Sequence, residues 1–337
     1  MKAMVLAAGL GLRMRPLTHI RAKPALPVLN RPLIDWTLDL LAHHGVTEVV
    51  INLHHLGRTV VQAVGSGRSF GMRVTWSRER RILGTGGGPR RVRDFFGDEP
   101  FLLVNGDVVF DFDLTDLLKK HRASGARATL ALVANPDPKR YSPVVTGAGG
   151  WVRALAGLPR PARGQPSLFT GVHVLEPALL DRLPEGPSDI VRDLYARLVD
   201  EGEDLLGVRM RGAWYDFGGP SLYLRSQLSM LSSGFRGLGR GALIHPSARV
   251  HPRARVTRSV VGPKAVVEEG AEVAGSVLWE RVRVGERARV RGSILATGSR
   301  VEPGGEVEGV VMVPSHRLRG ATPPGHTRRG HRLVEVA

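Results

Sequence analysis

"KAMVLAAGLGLRMRPLT", residues 2–18, passes from an aliphatic run into glycines and then into fixed positive charge. Its first five residues have the length and aliphatic content of a buried strand, and Gly9 and Gly11 fall where such a strand leaves its sheet. In open α/β sheets that is where ligands bind. Arg13 and Arg15 follow in the same loop, and cations beside free backbone amides suit a bound triphosphate. The loop is not a Walker phosphate loop, since no Gly-Lys-Ser/Thr follows, and it lacks the third glycine of a dinucleotide fingerprint.

Outward from this loop, strand-like and helix-like stretches alternate to about residue 135. "RPLIDWTLDLLAHHG" (31–45) reads as a helix with Asn30 as N-cap, Pro32 near the first turn and Gly45 as its stop. "TEVVINL" (47–53), "MRVTWS" (72–77), "PFLLV" (100–104) and "RATLALV" (127–133) read as strands, and "LTDLLKKHRA" (114–123) as a helix. The alternation predicts an α/β fold with a Rossmann-like, mostly parallel sheet covered by helices. Gly86, Gly87, Gly88 and Gly106 also follow predicted strands.

After residue 240 the pattern changes. Ile244, Val250, Val256, Val261, Val267, Val273, Leu278, Val284, Val290, Leu295, Val301, Val307 and Met312 are spaced 6, 6, 5, four times over, a period of 17 residues. Two positions before nearly every one stands a small residue, among them Ala248, Ala254, Ser259, Ala265, Ser276 and Ser293. A three-sided coil needs one inward aliphatic per side and little bulk at its corners, so this region reads as a left-handed parallel β-helix built from hexapeptide repeats. The expected plan is a domain over 1–230, a linker over 231–241, the β-helix over 242–315 and a polar, basic tail over 316–337 that carries no assignment.

Composition bounds the function. The 337 residues carry 48 lysines and arginines against 31 acidic residues, a net charge of +17. The basic residues are spread along the chain and aromatics make up 5%, which fits a solvated basic surface and no nucleic-acid partner. There is no cysteine, so disulfides and thiolate metal sites are excluded. No run has the length of a membrane span and no secretory pattern opens the chain, so a cytoplasmic protein is expected.

Residues 3–28, including "AKPALPV" around Lys23, resemble the signature of the sugar-1-phosphate nucleotidylyltransferases, the NDP-sugar pyrophosphorylases. The resemblance extends through "LGTGGGPRR" (83–91), "LLVNGDV" (102–108), "FTGVHVL" (169–175) and "WYDFGGP" (214–220). The N-terminal part is similar to N-acetylmuramate-1-phosphate uridylyltransferases, and the domain plan to mannose-1-phosphate guanylyltransferases. The resemblance implies an NTP and a sugar 1-phosphate as substrates, joined at the α-phosphorus with loss of pyrophosphate, and magnesium held by Asp107 and Asp216. It gives Arg13 the leaving pyrophosphate and Lys23 the α-phosphate or incoming phosphate. Leu6, Ala8, Gly9, Gly11, Gly86, Gly87, Gly88, Asn105 and Gly106 would surround the nucleotide, and Thr170 and Gly171 the sugar. Read without the resemblance, Asp107 ends a strand through an Asx turn and Asp216 caps the helix near Pro220.

Three departures from the family pattern stand out. Leu12 takes the place of a small or polar residue, and Ala22 that of a proline before Lys23. The Glu-Lys pair that many hexose-1-phosphate enzymes carry ahead of "FTGVHV" is replaced by "GLPRPARGQPS", which leaves Arg160 or Arg163 to supply the charge. Two other functions share the plan: a silent regulatory subunit, as in translation initiation exchange factors, and a bifunctional enzyme whose coils also transfer an acyl group with His245 or His251 as base. The expected role of the coils is assembly into a homo-oligomer, or regulation.

Overall fold

The computed structural model describes residues 1–202 and 204–336, with Gln165 described by its backbone alone. By its internal contacts the chain divides into two compact units: Met1–Gly9 with Ile34–Tyr215, and Leu10–Leu33 with Asp216–Ala337. The signature loop thus groups with the coils. The expected boundary near 230 lies inside a helix, Pro220–Ser233, that belongs to the second unit.

The first unit is built on a sheet of nine strands among the described residues. In chain order they are β1 (Lys2–Leu6), β2 (Glu48–Leu53), β3 (Arg73–Arg78), β4 (Phe101–Asn105), β5 (Ala128–Ala134), β6 (Pro143–Thr146), β7 (Val152–Leu155), β8 (Gln165–Leu175) and β9 (Leu205–Arg209). β3, β2, β1 and β4 are mutually parallel, which the predicted β-α alternation requires. β8 then runs antiparallel to β4 and also pairs with β5 and β6, so the sheet forks beyond it. β1 and β4 are fully enclosed: Ala3, Met4, Val5, Leu102, Leu103 and Val104 have no exposed surface. Strands covered on both faces read as continuous aliphatic runs, which is why these were easy to see.

Helix α1 spans Leu33–His43 and ends as expected at Gly45, whose φ of +77° lets Val46 N–H return to Leu41 O at 3.0 Å. Its predicted start is corrected. Pro27–Val28 and Arg31–Pro32 form a hairpin, with Leu29 and Asn30 at φ +50° and +65° as its two-residue turn. Asparagine tolerates the left-handed region that such a turn demands, so Asn30 turns the chain and does not cap the helix. Helix α2 (Leu114–Ser124) keeps its predicted bounds to within a residue; Asp113 Oδ1 accepts from Asp116 N–H at 3.0 Å as its N-cap.

The second unit contains the left-handed parallel β-helix. Strands separated by 17 residues pair in register: Val256, Val273, Val290 and Val307 stack on one side, and Val267, Val284 and Val301 on another. The aliphatic row and the small row before it both enter the core; Ala265, Ala271 and Ala288 are fully buried. At one corner the small residue is serine for a reason: Ser259, Ser276 and Ser293 each donate to the carbonyl two residues back, at 2.7, 2.8 and 2.7 Å. Each hydroxyl also accepts an N–H from the next coil, Ser276 to Ser259 at 3.0 Å and Ser293 to Ser276 at 3.1 Å. A buried ladder with every member satisfied stabilises the stack without bulk. The tail contains regular structure: His326–Arg328 and His331–Glu335 make a hairpin whose second strand pairs antiparallel with Val310–Pro314 and puts Leu333 on the core. No helix of the described residues is long and apolar enough to cross a membrane.

Candidate active site

In the first unit the site residues gather at strand ends. Leu6 O accepts Gly106 N–H at 2.9 Å, and a Cβ at Gly106 would lie 2.5 Å from that oxygen, so glycine is required where β1 and β4 close on each other. Ala7 N–H donates to Asn52 Oδ1 at 2.7 Å; Asn52 Nδ2 donates to Glu79 Oε1 at 2.8 Å; and Leu83 N–H donates to Glu79 Oε2 at 2.9 Å. This buried network ties the opening loop to the ends of β2 and β3 and to the start of helix α3 (Gly84–Arg91). Sequence reasoning missed both polar residues. Glu79 stands in the charged run "SRERR", which reads as surface, and nothing in the letters shows its burial.

The three glycines are helical. Gly86, Gly87 and Gly88 lie inside α3, a helix the sequence did not announce. A Cβ on Gly87 would sit 2.0 Å from Gly186 O and one on Gly86 2.7 Å from Ser188 Oγ, while Gly88 faces Asn52 and Glu79. The bare backbone of the first two is filled by residues 186–188, with Gly86 N–H donating to Ser188 O at 2.9 Å. Close packing therefore accounts for glycine at 86 and 87.

Gly171, at φ +80°, sits over Asn105: a Cβ there would meet Asn105 Nδ2 at 2.5 Å. Thr170 is buried, and its hydroxyl donates to Ala131 O at 2.8 Å and accepts Val172 N–H at 3.3 Å. The hydroxyl thus secures the irregularity between Phe169 and His173 in β8. Thr170 O accepts the Trp214 indole N–H at 3.0 Å, and Tyr141 meets Trp214 edge-on with centroids 5.6 Å apart. This aromatic wall was not foreseen. Arg160 is turned elsewhere, 4.0 Å from Asp200, and Arg163 is exposed. Asp107 is half-buried in the turn after β4. Asp111, at the far end of the strand that follows, is bonded through both backbone and carboxylate to Ala213, just ahead of Trp214–Asp216.

In the second unit the chain from Gly11 to Lys23 folds back on itself. Gly11 is left-handed, at φ +61° and ψ +34°; Thr18 Oγ1 donates to its carbonyl at 2.9 Å, and its missing Cβ would lie 3.5 Å from Lys23 Cβ. Arg13 is exposed on the 3-10 turn Leu12–Met14, while Lys23 is buried on the 3-10 turn Lys23–Ala25. Leu12 is half exposed and takes no part in the core. Ala22 keeps φ −57° and ψ +147°, the backbone that the missing proline would impose. Asp216 is half-buried; Ser226 Oγ donates to its carbonyl at 2.9 Å, and a Cβ on Gly218 would lie 3.0 and 3.1 Å from its carboxylate oxygens. His245 and His251 engage their own turns, His245 Nδ1 with Ser247 and His251 Nδ1 accepting Arg253 N–H at 3.2 Å.

The carboxylates of Asp107 and Asp216 are hard oxygen donors, the kind magnesium takes one or two at a time. The bare backbone at Gly218 leaves room at the Asp216 carboxylate that a side chain would narrow. Among the described residues no three or more His, Asp or Glu side chains gather as a larger metal cluster.

Comparison with known proteins gives the family. The model of the nucleotidyl transferase family matches residues 2–233, and that of the GMPPB C-terminal domain matches residues 239–316. A UTP–glucose-1-phosphate uridylyltransferase from Synechocystis is 34% identical over 247 residues, 69% of this chain, and the chain spans 64% of that relative's length. A probable mannose-1-phosphate guanylyltransferase 3 of Oryza sativa is 30% identical over 81% of this chain and 78% of its own length. In fold, HddC from Yersinia pseudotuberculosis superposes with a TM-score of 0.58 at 17% identity, covering 68% of this chain and 99% of that one. The chain belongs to the nucleotidyl transferase family.

Proposed function

We propose that the protein transfers a nucleotidyl group to a sugar 1-phosphate, forming an NDP-sugar and pyrophosphate. An oxygen of the sugar phosphate attacks the α-phosphorus of the NTP in line; the new P–O bond forms as the bond to the β-phosphate bridge breaks, and pyrophosphate leaves. The incoming phosphate is already ionised, so no general base is needed. Catalysis is then positioning and charge stabilisation. The observation that carries this reading is the fold-back of residues 11–23, which seats Lys23 against Gly11 in the same loop that presents Arg13. Lys23 steadies the α-phosphate and Arg13 the departing pyrophosphate. Leu6, Ala8, Gly9, Gly11, Asn105 and Gly106 surround the nucleotide, with Gly86–Gly88 inside α3 and Gly88 beside Asn52 and Glu79, and residues 170–171 meet the sugar.

Asp107 and Asp216 would hold magnesium, which supplies charge neutralisation at the phosphates when bound. The substrates proposed are GTP and mannose 1-phosphate, because the guanylyltransferase relatives are matched over most of their length and the coil region matches the GMPPB C-terminal model. The 34% identity to the uridylyltransferase favours a second reading, UTP with glucose 1-phosphate. A panel of four NTPs against several sugar 1-phosphates, with magnesium and a pyrophosphate readout, tests both. Release from one or more pairs is expected and names the substrates; silence across the panel returns the regulatory reading.

A further inference from the structure

Within the second unit one coil departs from its repeat where it meets the signature loop. At 17-residue spacing the position of Trp279 is filled in the other coils by His245, Gly262, Ala296 and Val313, and that of Glu280 by Pro246, Pro263, Thr297 and Pro314. The coils need neither a buried indole nor a carboxylate there. Both side chains leave the stack and reach residues that flank Lys23.

Trp279 is buried, and its indole N–H donates to Tyr223 Oη at 2.9 Å; the Tyr223 hydroxyl in turn donates to Pro27 O. Tryptophan is a donor only, so the direction of this relay is fixed. Glu280 Oε1 accepts from Arg21 Nη2 and from Thr297 Oγ1, the latter at 2.7 Å, and the Arg21 guanidinium lies 5.6 Å from the Trp279 ring centre. Residues 21 and 27 are the two ends of "RAKPALP". Between them the backbone makes a single 3-10 turn, closed by Ala25 N–H to Ala22 O and Leu26 N–H to Lys23 O. Such a turn is short and irregular, and its geometry depends on how its ends are held.

We propose that Trp279 and Glu280 are positioning residues for nucleotidyl transfer, clamping through Tyr223 and Arg21 both ends of the segment that carries Lys23. This rests on the function proposed above. The coils then act within their own chain, whatever they do in assembly. Loosening either end lets the lysine drift from the reacting phosphate, and a drift of about 1 Å at a charged contact lowers turnover by about 100-fold.

The experiment compares Trp279→Phe, which keeps a ring and loses the donor, Glu280→Gln, which keeps the shape and loses the charge, and the charge swap Arg21→Glu with Glu280→Arg. Each single variant is expected to lower kcat at saturating substrates by about 10- to 100-fold with KM changed far less, and the double swap to recover most of the loss. Amide exchange at Lys23, Ala25 and Leu26 should rise in Trp279→Phe while Val284 and Val290 in the coil core stay protected. Turnover in the unmodified protein with unchanged kcat in the variants overturns the positioning role alone, as does unchanged exchange at 23–26. A fall in thermal midpoint with kcat per folded molecule intact also overturns it. Absence of turnover in the unmodified protein with every substrate pair overturns the role together with the function on which it rests.

Discussion

The sheet of the first unit and the coils of the second solve the same packing problem in opposite ways. In the coils each residue has copies 17 positions before and after it, so the rule is stated four times and an exception such as Trp279 stands out against it. In the sheet no element repeats, and polar groups that meet at the strand ends come from distant places: the Ala7 N–H with Asn52, Asn52 with Glu79, or the Thr170 carbonyl with Trp214. Repetition therefore makes working residues visible as irregularities. Without it they become visible only when the fold brings them together.

The largest effect expected is outside the coils, at two residues that nothing repeats. Asp107→Asn, and likewise Asp216→Asn, should lower kcat by roughly 100- to 1000-fold, because a neutral amide is a poor ligand for a divalent cation and a poor partner for charge at the phosphates. The thermal midpoint should stay near that of the unmodified protein. Full activity in both variants would remove the metal site from the account.

Next in size are two packing changes, one in each region. Gly87→Ala places a methyl where Gly186 O stands 2.0 Å away, and overpacking of this kind costs about 1–3 kcal/mol, read from the denaturant midpoint. Ser276→Ala removes one rung of the coil ladder and leaves the Ser293 amide without its acceptor, a loss of about 1–3 kcal/mol. Ser259→Ala combined with Ser276→Ala should fall short of the sum of the two single losses, since the neighbouring rungs share one ladder.

The smallest effect separates the regions by pH. His173 is buried in β8, hydrogen-bonded to the Tyr195 hydroxyl, and burial pushes its pKa down from 6.5 to about 3. His121, on α2, is shifted the same way, mainly by burial. The unfolded chain binds protons on these imidazoles below pH 6.5 that the folded unit does not, so their contribution is intact above 6.5 and is lost as pH falls toward 3. Amide exchange in β5 and β8 should accelerate through this window while the coil core, Val284 and Val290, lags behind. His173→Gln should flatten the response of the sheet unit.

How much was legible follows from the same contrast. β1, β2 and β4 could be read directly because buried strands are largely aliphatic, and the coil register could be read because it recurs. Asn30 was misplaced because a helix cap and a two-residue hairpin turn favour the same residue type. The glycine helix was missed because three consecutive glycines argue against a helix, and only Gly186 and Ser188, about a hundred residues away, explain them. The terminal hairpin was hidden by its arginines and by the prolines just ahead of it, with Leu333 and Val334 as its pair of adjacent buried aliphatic residues. The boundary of the first unit fell at Tyr215 because Tyr223 and Gln227 bond to Pro27 and Leu29, contacts that no local pattern announces.

The central claim, that a sugar phosphate oxygen displaces pyrophosphate from the α-phosphorus, is tested most directly by isotope. With the phosphate oxygens of the sugar 1-phosphate labelled with oxygen-18, all of the label should appear in the NDP-sugar and none in pyrophosphate. Label in the released pyrophosphate, or formation of free nucleoside monophosphate with unlabelled water oxygen and the sugar phosphate untouched, would contradict it.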